Sequence, residues 1–104
     1  MDLTVAMIKL FVQVIVMEAS FAAGHATSAE FDALWATIPA HRVDDYQDFS
    51  ASIEIDRVGK DFRATLRGHG GAAAIGWGDT EKEARASLAR TVDFNIEHNG
   101  ATIA

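Results

Sequence analysis

Apolar side chains recur at helical spacing before residue 40 and alternate with polar ones after residue 50. That change of period divides the chain into a helical part, 1–38, and a βββα module, 50–98, within one domain. In residues 3–22, Leu3, Met7, Leu10, Val14, Met17 and Phe21 fall at alternating steps of four and three, which predicts a helix. Asp2, Lys9, Gln13 and Ser20 form a narrow polar stripe, while Ile8, Phe11, Val12, Ile15 and Ala22 widen the apolar side. So broad an apolar circumference predicts a central core helix or a homodimer contact. The β-branched Val12, Val14, Ile15 and Val16 allow a strand as the alternative, but the run is long for one.

Thr27 and Glu30 have the spacing of a capping box, which predicts a second helix over 28–37 with Phe31, Leu34, Trp35 and Ile38 on one face. Pro39 ends it, because the residue before a proline avoids helical angles. Residues 40–49 read as a polar connector. Ala51, Ile53 and Ile55 then alternate with Ser52, Glu54 and Asp56, and Phe62, Ala64 and Leu66 with Arg63, Thr65 and Arg67. These are two half-buried strands of a hairpin turning at 58–61. Gly68-His69-Gly70-Gly71 predicts the next turn, and 72–77 a third, alanine-rich edge strand. Gly76-Trp77-Gly78-Asp79-Thr80-Glu81-Lys82-Glu83 closes that strand and caps a last helix over 80–98, with Ala84, Leu88, Val92 and Ile96 as its apolar line. The order α-α-β-β-β-α predicts an α+β fold, a two-layer sandwich of one three-stranded antiparallel meander sheet packed by two to three helices.

Composition narrows the chemistry. The 104 residues contain no cysteine, so disulfides, thiolate metal sites and a cysteine nucleophile are excluded, and a cytoplasmic location is expected. The apolar stretch from Met7 to Ala23 superficially resembles a signal peptide or membrane span, but Lys9, Gln13 and Glu18 interrupt it, so it is expected to be a core segment. The net charge is −6, of which residues 1–52 hold −5 (seven acids against Lys9 and Arg42). Such acidity disfavours direct nucleic-acid binding, which depends on neutralising phosphates, and suits a basic protein or nucleoprotein partner.

None of His25, His41, His69 and His98 has a partner at metal-ligand spacing. Asp44, Asp45 and Asp48 lack the glycine and glutamate of a calcium loop. The Gly-His-Gly-Gly turn lacks the Gly-Lys-Ser/Thr ending of a P-loop, and no serine stands in a Gly-x-Ser-x-Gly elbow. No cofactor, metal or catalytic residue is therefore expected, and a small enzyme using His69 or His41 is the weakest alternative. The better surface is Asp44, Asp45, Tyr46, Asp48 and Phe49, where acids would steer a basic partner and aromatics supply contact area. The competing role for Tyr46 and Phe49 is to staple the connector to the core.

Residues 50–92 resemble two groups that share a strand-strand-strand-helix core. Gly76, Gly78, Thr80, Glu83, Ala84 and Leu88 match the Gly-x-Gly-x-Thr, Glu-Ala and following Leu of HicB-like antitoxins. The same segment is similar to the start of the last helix of the double-stranded-RNA-binding domain, with its Gly-x-Gly-x-Ser-Lys-Lys-x-Ala-Lys pattern. That resemblance implies phosphate contacts by His69, Lys82 and Arg85, although Glu81 replaces one lysine and Glu83 adds a second acid. The antitoxin resemblance implies a small acidic inhibitor of the kind phages and mobile elements encode, including anti-defence proteins. Its expected action is to occlude the nucleic-acid-binding surface of a partner. A degenerate RNA-binding module is the alternative.

Overall fold

The computed structural model describes residues 4–68 and 71–99. Four α-helices and three strands follow in the order α1 (Val5–Ala22), α2 (Ser28–Trp35), α3 (Val43–Ala51), β1 (Ile53–Val58), β2 (Asp61–Gly68), β3 (Gly71–Gly78) and α4 (Glu81–Asn99). The strands form one antiparallel sheet in the order β1-β2-β3, and helices pack on it, giving the expected α+β architecture.

Each element starts where local chemistry dictates. The Thr4 hydroxyl accepts a hydrogen bond from the Met7 amide and opens α1. Thr27 and Glu30 form a reciprocal capping box at α2, with both backbone bonds at 3.1 Å. At α4 the Glu83 amide donates to the Thr80 hydroxyl at 3.1 Å, while the Glu83 carboxylate accepts from the Asp79 amide at 3.1 Å. The hairpin between β1 and β2 turns at Gly59, whose φ of +65° favours glycine. Its register places Ile53 opposite Leu66 and Ile55 opposite Ala64, so the alternating apolar positions meet on one face.

That face receives α4. Gly76 and Gly78 of β3 lie directly under the helix backbone. A methyl group on Gly76 would stand 2.6 Å from the Ala84 carbonyl oxygen, and one on Gly78 would stand 2.6 Å from the Ala84 amide nitrogen. The Gly-x-Gly spacing is thus a packing device that brings helix and strand into backbone contact. Ala84, Leu88, Ala89, Val92 and Ile96 are buried along α4 and join Ile53, Ala64, Leu66 and Ala74 in the core.

Helix α1 packs antiparallel along α4. Lys9 pairs with Glu97 near one end and Lys82 with Glu18, at 2.8 Å, near the other. Its buried residues are Ile8, Phe11, Val12, Val14 and Ile15. The expected stripe is therefore displaced. Of its members only Val14 is fully buried, Met7 and Leu10 are partly buried, Phe21 is 46% exposed, and Leu3 lies outside the described residues. A helix apolar on most of its circumference carries no single periodic face, so the position of α4 selects the buried side. By length and composition α1 could also cross a membrane.

The largest departure from expectation is α3. Residues 40–49 do not form an irregular connector: Ala40–Arg42 is a 3-10 turn that leads directly into a nine-residue α-helix. Tyr46 and Phe49 stand three apart on the inward side of that helix, and both are buried.

The Gly76 contact yields a stability prediction. Gly76→Ala should lower unfolding stability by about 3 kcal/mol or more, because neither backbone partner can move aside as a side chain would. Gly59→Ala, which meets no atom within 4 Å, should cost only about 1 kcal/mol through its positive φ. Urea titration of both variants, followed by circular dichroism, measures the difference.

Candidate functional site: the acidic face of the third helix

Arg42 precedes α3, and Asp44 and Asp45 occupy its first turn, where the helix dipole favours negative charge. Arg42 donates to the Asp45 carboxylate at 3.0 Å, leaving Asp45 half-buried. Asp44 and Asp48 are exposed four residues apart, one turn above the other on the same side. The segment from Ser28 to Ala51 carries Glu30, Asp32, Asp44, Asp45 and Asp48 against Arg42, which is −4 of the chain's −6.

The aromatic residues of this stretch do different work from the one expected for a binding surface. Tyr46 and Phe49 are 4% and 3% exposed, so neither offers contact area to a partner. Phe11 packs edge-on against Tyr46 with ring centroids 5.4 Å apart, and lies 5.9 Å from the Phe49 ring. Trp35 meets Tyr46 edge-on at 5.2 Å, and stacks with Phe31 at 6.4 Å. These rings anchor α3 to α1 and α2, which fixes the direction in which Asp44 and Asp48 point.

The Tyr46 phenol oxygen is buried without a hydrogen bond among the described residues. The Ser50 hydroxyl beside it is engaged by the Arg85 guanidinium. Burial first, and the Glu18 carboxylate second, push the phenol's pKa up to about 12, against the opposing influence of Arg85 and Ser50.

The residues implied by the RNA-binding resemblance are distributed differently. Lys82 is paired with Glu18 at the surface, and the half-buried Arg85 is bonded to Ser50, so both cations are engaged by partners within the chain. His69 lies outside the described residues. His25, His41 and His98 are exposed and separate, and His98 packs on the Phe94 ring at 4.3 Å. Among the described residues no three His, Cys, Asp or Glu side chains group as a metal site.

Two surface features were not read from the sequence. Phe94, 57% exposed, lies with Val12, Val16, Met17, Leu34 and Arg90 around a groove of about 600 Å³ between α1 and α4. Ile75 and Trp77 are 43% and 48% exposed on the side of the sheet facing away from the helices. There the Arg63 guanidinium sits 5.8 Å from the centre of the Trp77 ring while bonding both Asp56 carboxylate oxygens. The sequence signal for these positions was available as the outward half of the strand alternation, which places Arg63, Ile75 and Trp77 on one face.

Comparison with known protein families, with curated proteins and with solved structures gave no match.

Tyr46 supplies a prediction with a defined sign. Its pKa is raised in the folded state above the ordinary value of 10, so the folded chain keeps the proton that the unfolded chain loses. Tyr46's contribution is fully present below pH 10 and should disappear as pH rises toward about 12, by about 1–3 kcal/mol. Tyr46→Phe should be neutral or slightly stabilising at pH 7, because the removed hydroxyl is buried without a hydrogen bond. Paired denaturation curves of the two proteins from pH 7 to 12 should diverge only above pH 10.

Proposed function

We propose that the protein is a small, non-catalytic protein-binding module, inhibitor- or antitoxin-like, of the type phages and mobile elements encode. It acts in the cytoplasm by occluding the basic nucleic-acid-binding surface of a partner protein. The observation that carries this reading is the construction of α3: two buried aromatics hold the helix rigid while Asp44 and Asp48 stand exposed one turn apart.

A surface that binds phosphates presents lysines and arginines. A preoriented carboxylate pair on a helix would compete for those cations without paying the ordering cost of a flexible acidic loop. Asp45 stands in the same helical turn, and the charge of −4 carried by residues 28–51 favours encounter with a basic partner. The contact region is polar, and its apolar residues face inward. Recognition on this reading is therefore mainly electrostatic and salt-sensitive.

The immobilised protein should retain a basic nucleic-acid-handling protein from host lysate at low salt and release it at high salt. Replacing Asp44, Asp45 and Asp48 by Asn should weaken that retention about tenfold or more and flatten its salt dependence. A variant with the same change of charge elsewhere, Glu54→Gln with Asp61→Asn and Glu81→Gln, should retain the partner far better. Equal losses in the two variants would show a general charge effect and overturn the assignment to α3. Removing Asp44 and Asp45 also costs about 0.5–1 kcal/mol of helix-dipole stabilisation, so both variants are compared well below their melting temperatures.

A further inference from the structure

The two edges of the sheet are built differently. The β1 edge carries Glu54, Asp56 and Arg57, charges of the kind that discourage strand addition. The β3 edge reads Gly-Ala-Ala-Ala-Ile-Gly-Trp-Gly, with no charge and no proline over eight residues. Among the described residues β3 packs against β2 and α4, and Ala19, Ser20, Ala23 and His25 reach only the groove beside its Trp77–Gly78 end. A strand edge of this length presents unpaired amide and carbonyl groups ready to accept another strand.

We propose that this edge is occupied by β3 of a second copy, paired antiparallel about a two-fold axis near Gly76 to give a continuous six-stranded sheet. Three features select a second copy and this register. The stretch Ala74–Gly78 is the regular part of the strand, paired without interruption from Leu66↔Ala74 to Phe62↔Gly78, whereas the register shifts beyond it between Leu66 and Arg67. A two-fold at Gly76 uses those five residues and no others, and sets Ile75 beside the second copy's Trp77. Each copy then covers the other's large exposed apolar residues next to the junction.

Charge agrees with that placement. Two chains of −6 repel unless they meet where charge is absent or alternates in sign. The strand itself is neutral. Alongside its Trp77–Gly78 end runs a groove of about 390 Å³, whose α4 wall carries Glu83, Ala86, Ser87 and Arg90. Gly76 lies under the span Ala84–Leu88, level with the middle of that wall. A two-fold at this level turns the acidic end of one wall toward the basic end of the other. The acidic helix α3 runs into β1 at the opposite edge, so the strongest like charges stay far apart.

Light-scattering mass and amide hydrogen exchange on the full chain test the pairing. The wild type should have twice the 11.2 kDa chain mass at high concentration, falling toward the chain mass on dilution, and the edge amides within Ala74–Gly78 should gain protection as concentration rises. Ile75→Lys, at an exposed position, should retain its circular dichroism and shift the mass to that of the single chain. A single-chain mass for the wild type at every concentration overturns the proposal. So does a dimer whose β3 amides exchange equally at all concentrations, which would place the contact elsewhere, for example on α1. If Ile75→Lys fails to fold, the concentration dependence of exchange in the wild type decides alone.

Discussion

The structure depends on the backbone contact between α4 and β3. At Gly76 and Gly78 the helix lies so close to the strand that a single methyl group has no space. Such proximity lets a thin layer of small side chains, Ala64, Ala74, Ala84 and Ala89, complete a core that larger residues would hold apart. A helix resting mainly on β3 and β2 also offers its far side to α1, and the rest of the helical part is arranged around that seam.

From that seam the aromatic cluster extends outward. Phe11, fully buried on α1, touches both Tyr46 and Phe49, and Trp35 of α2 closes on Tyr46 from another direction. The cluster ties α2 and α3 to α1, which α4 already holds in place. Its consequence at the surface is the orientation of the α3 acids. Burying Tyr46 with no bond to its hydroxyl works against stability, and the ring contacts on both sides of it offset that cost.

The surface divides by chemistry. Most ion pairs are exposed: Asp56 with Arg63, Glu54 with Arg67, Glu18 with Lys82 and Glu97 with Lys9. Pairs of this kind contribute little to stability, but they neutralise Arg63 and Arg67 on the sheet and Lys82 on α4. What remains is a net negative charge concentrated on α2 and α3, while the β3 strand is neutral and partly aromatic. One small sandwich therefore carries two surfaces of contrasting character.

The sequence by itself determined whatever depends on neighbours in the chain. The capping box at α2, the Thr80 cap of α4, the hairpin register that brings Ile53 to Leu66, and the stop of α2 before Pro39 are local, and each was legible; the Glu83 carboxylate alone departs, accepting from Asp79 in place of Thr80. The inward line Ala84, Leu88, Val92 and Ile96 was legible for the same reason, since one face of α4 is strictly periodic. Tertiary structure decided the remainder. The buried side of α1 was illegible because nearly every direction around that helix is apolar, and only the arrival of α4, at the far end of the chain, distinguishes them. Helix α3 was hidden because acids fill its first turn and only Tyr46 and Phe49 are fully buried, with Val43 partly so, a pattern too short to stand out from a connector. The candidate site was legible in its acids, which any solvated segment displays. The role of its aromatics was not, because whether Tyr46 and Phe49 face a partner or the core is settled by Phe11, a residue of another helix.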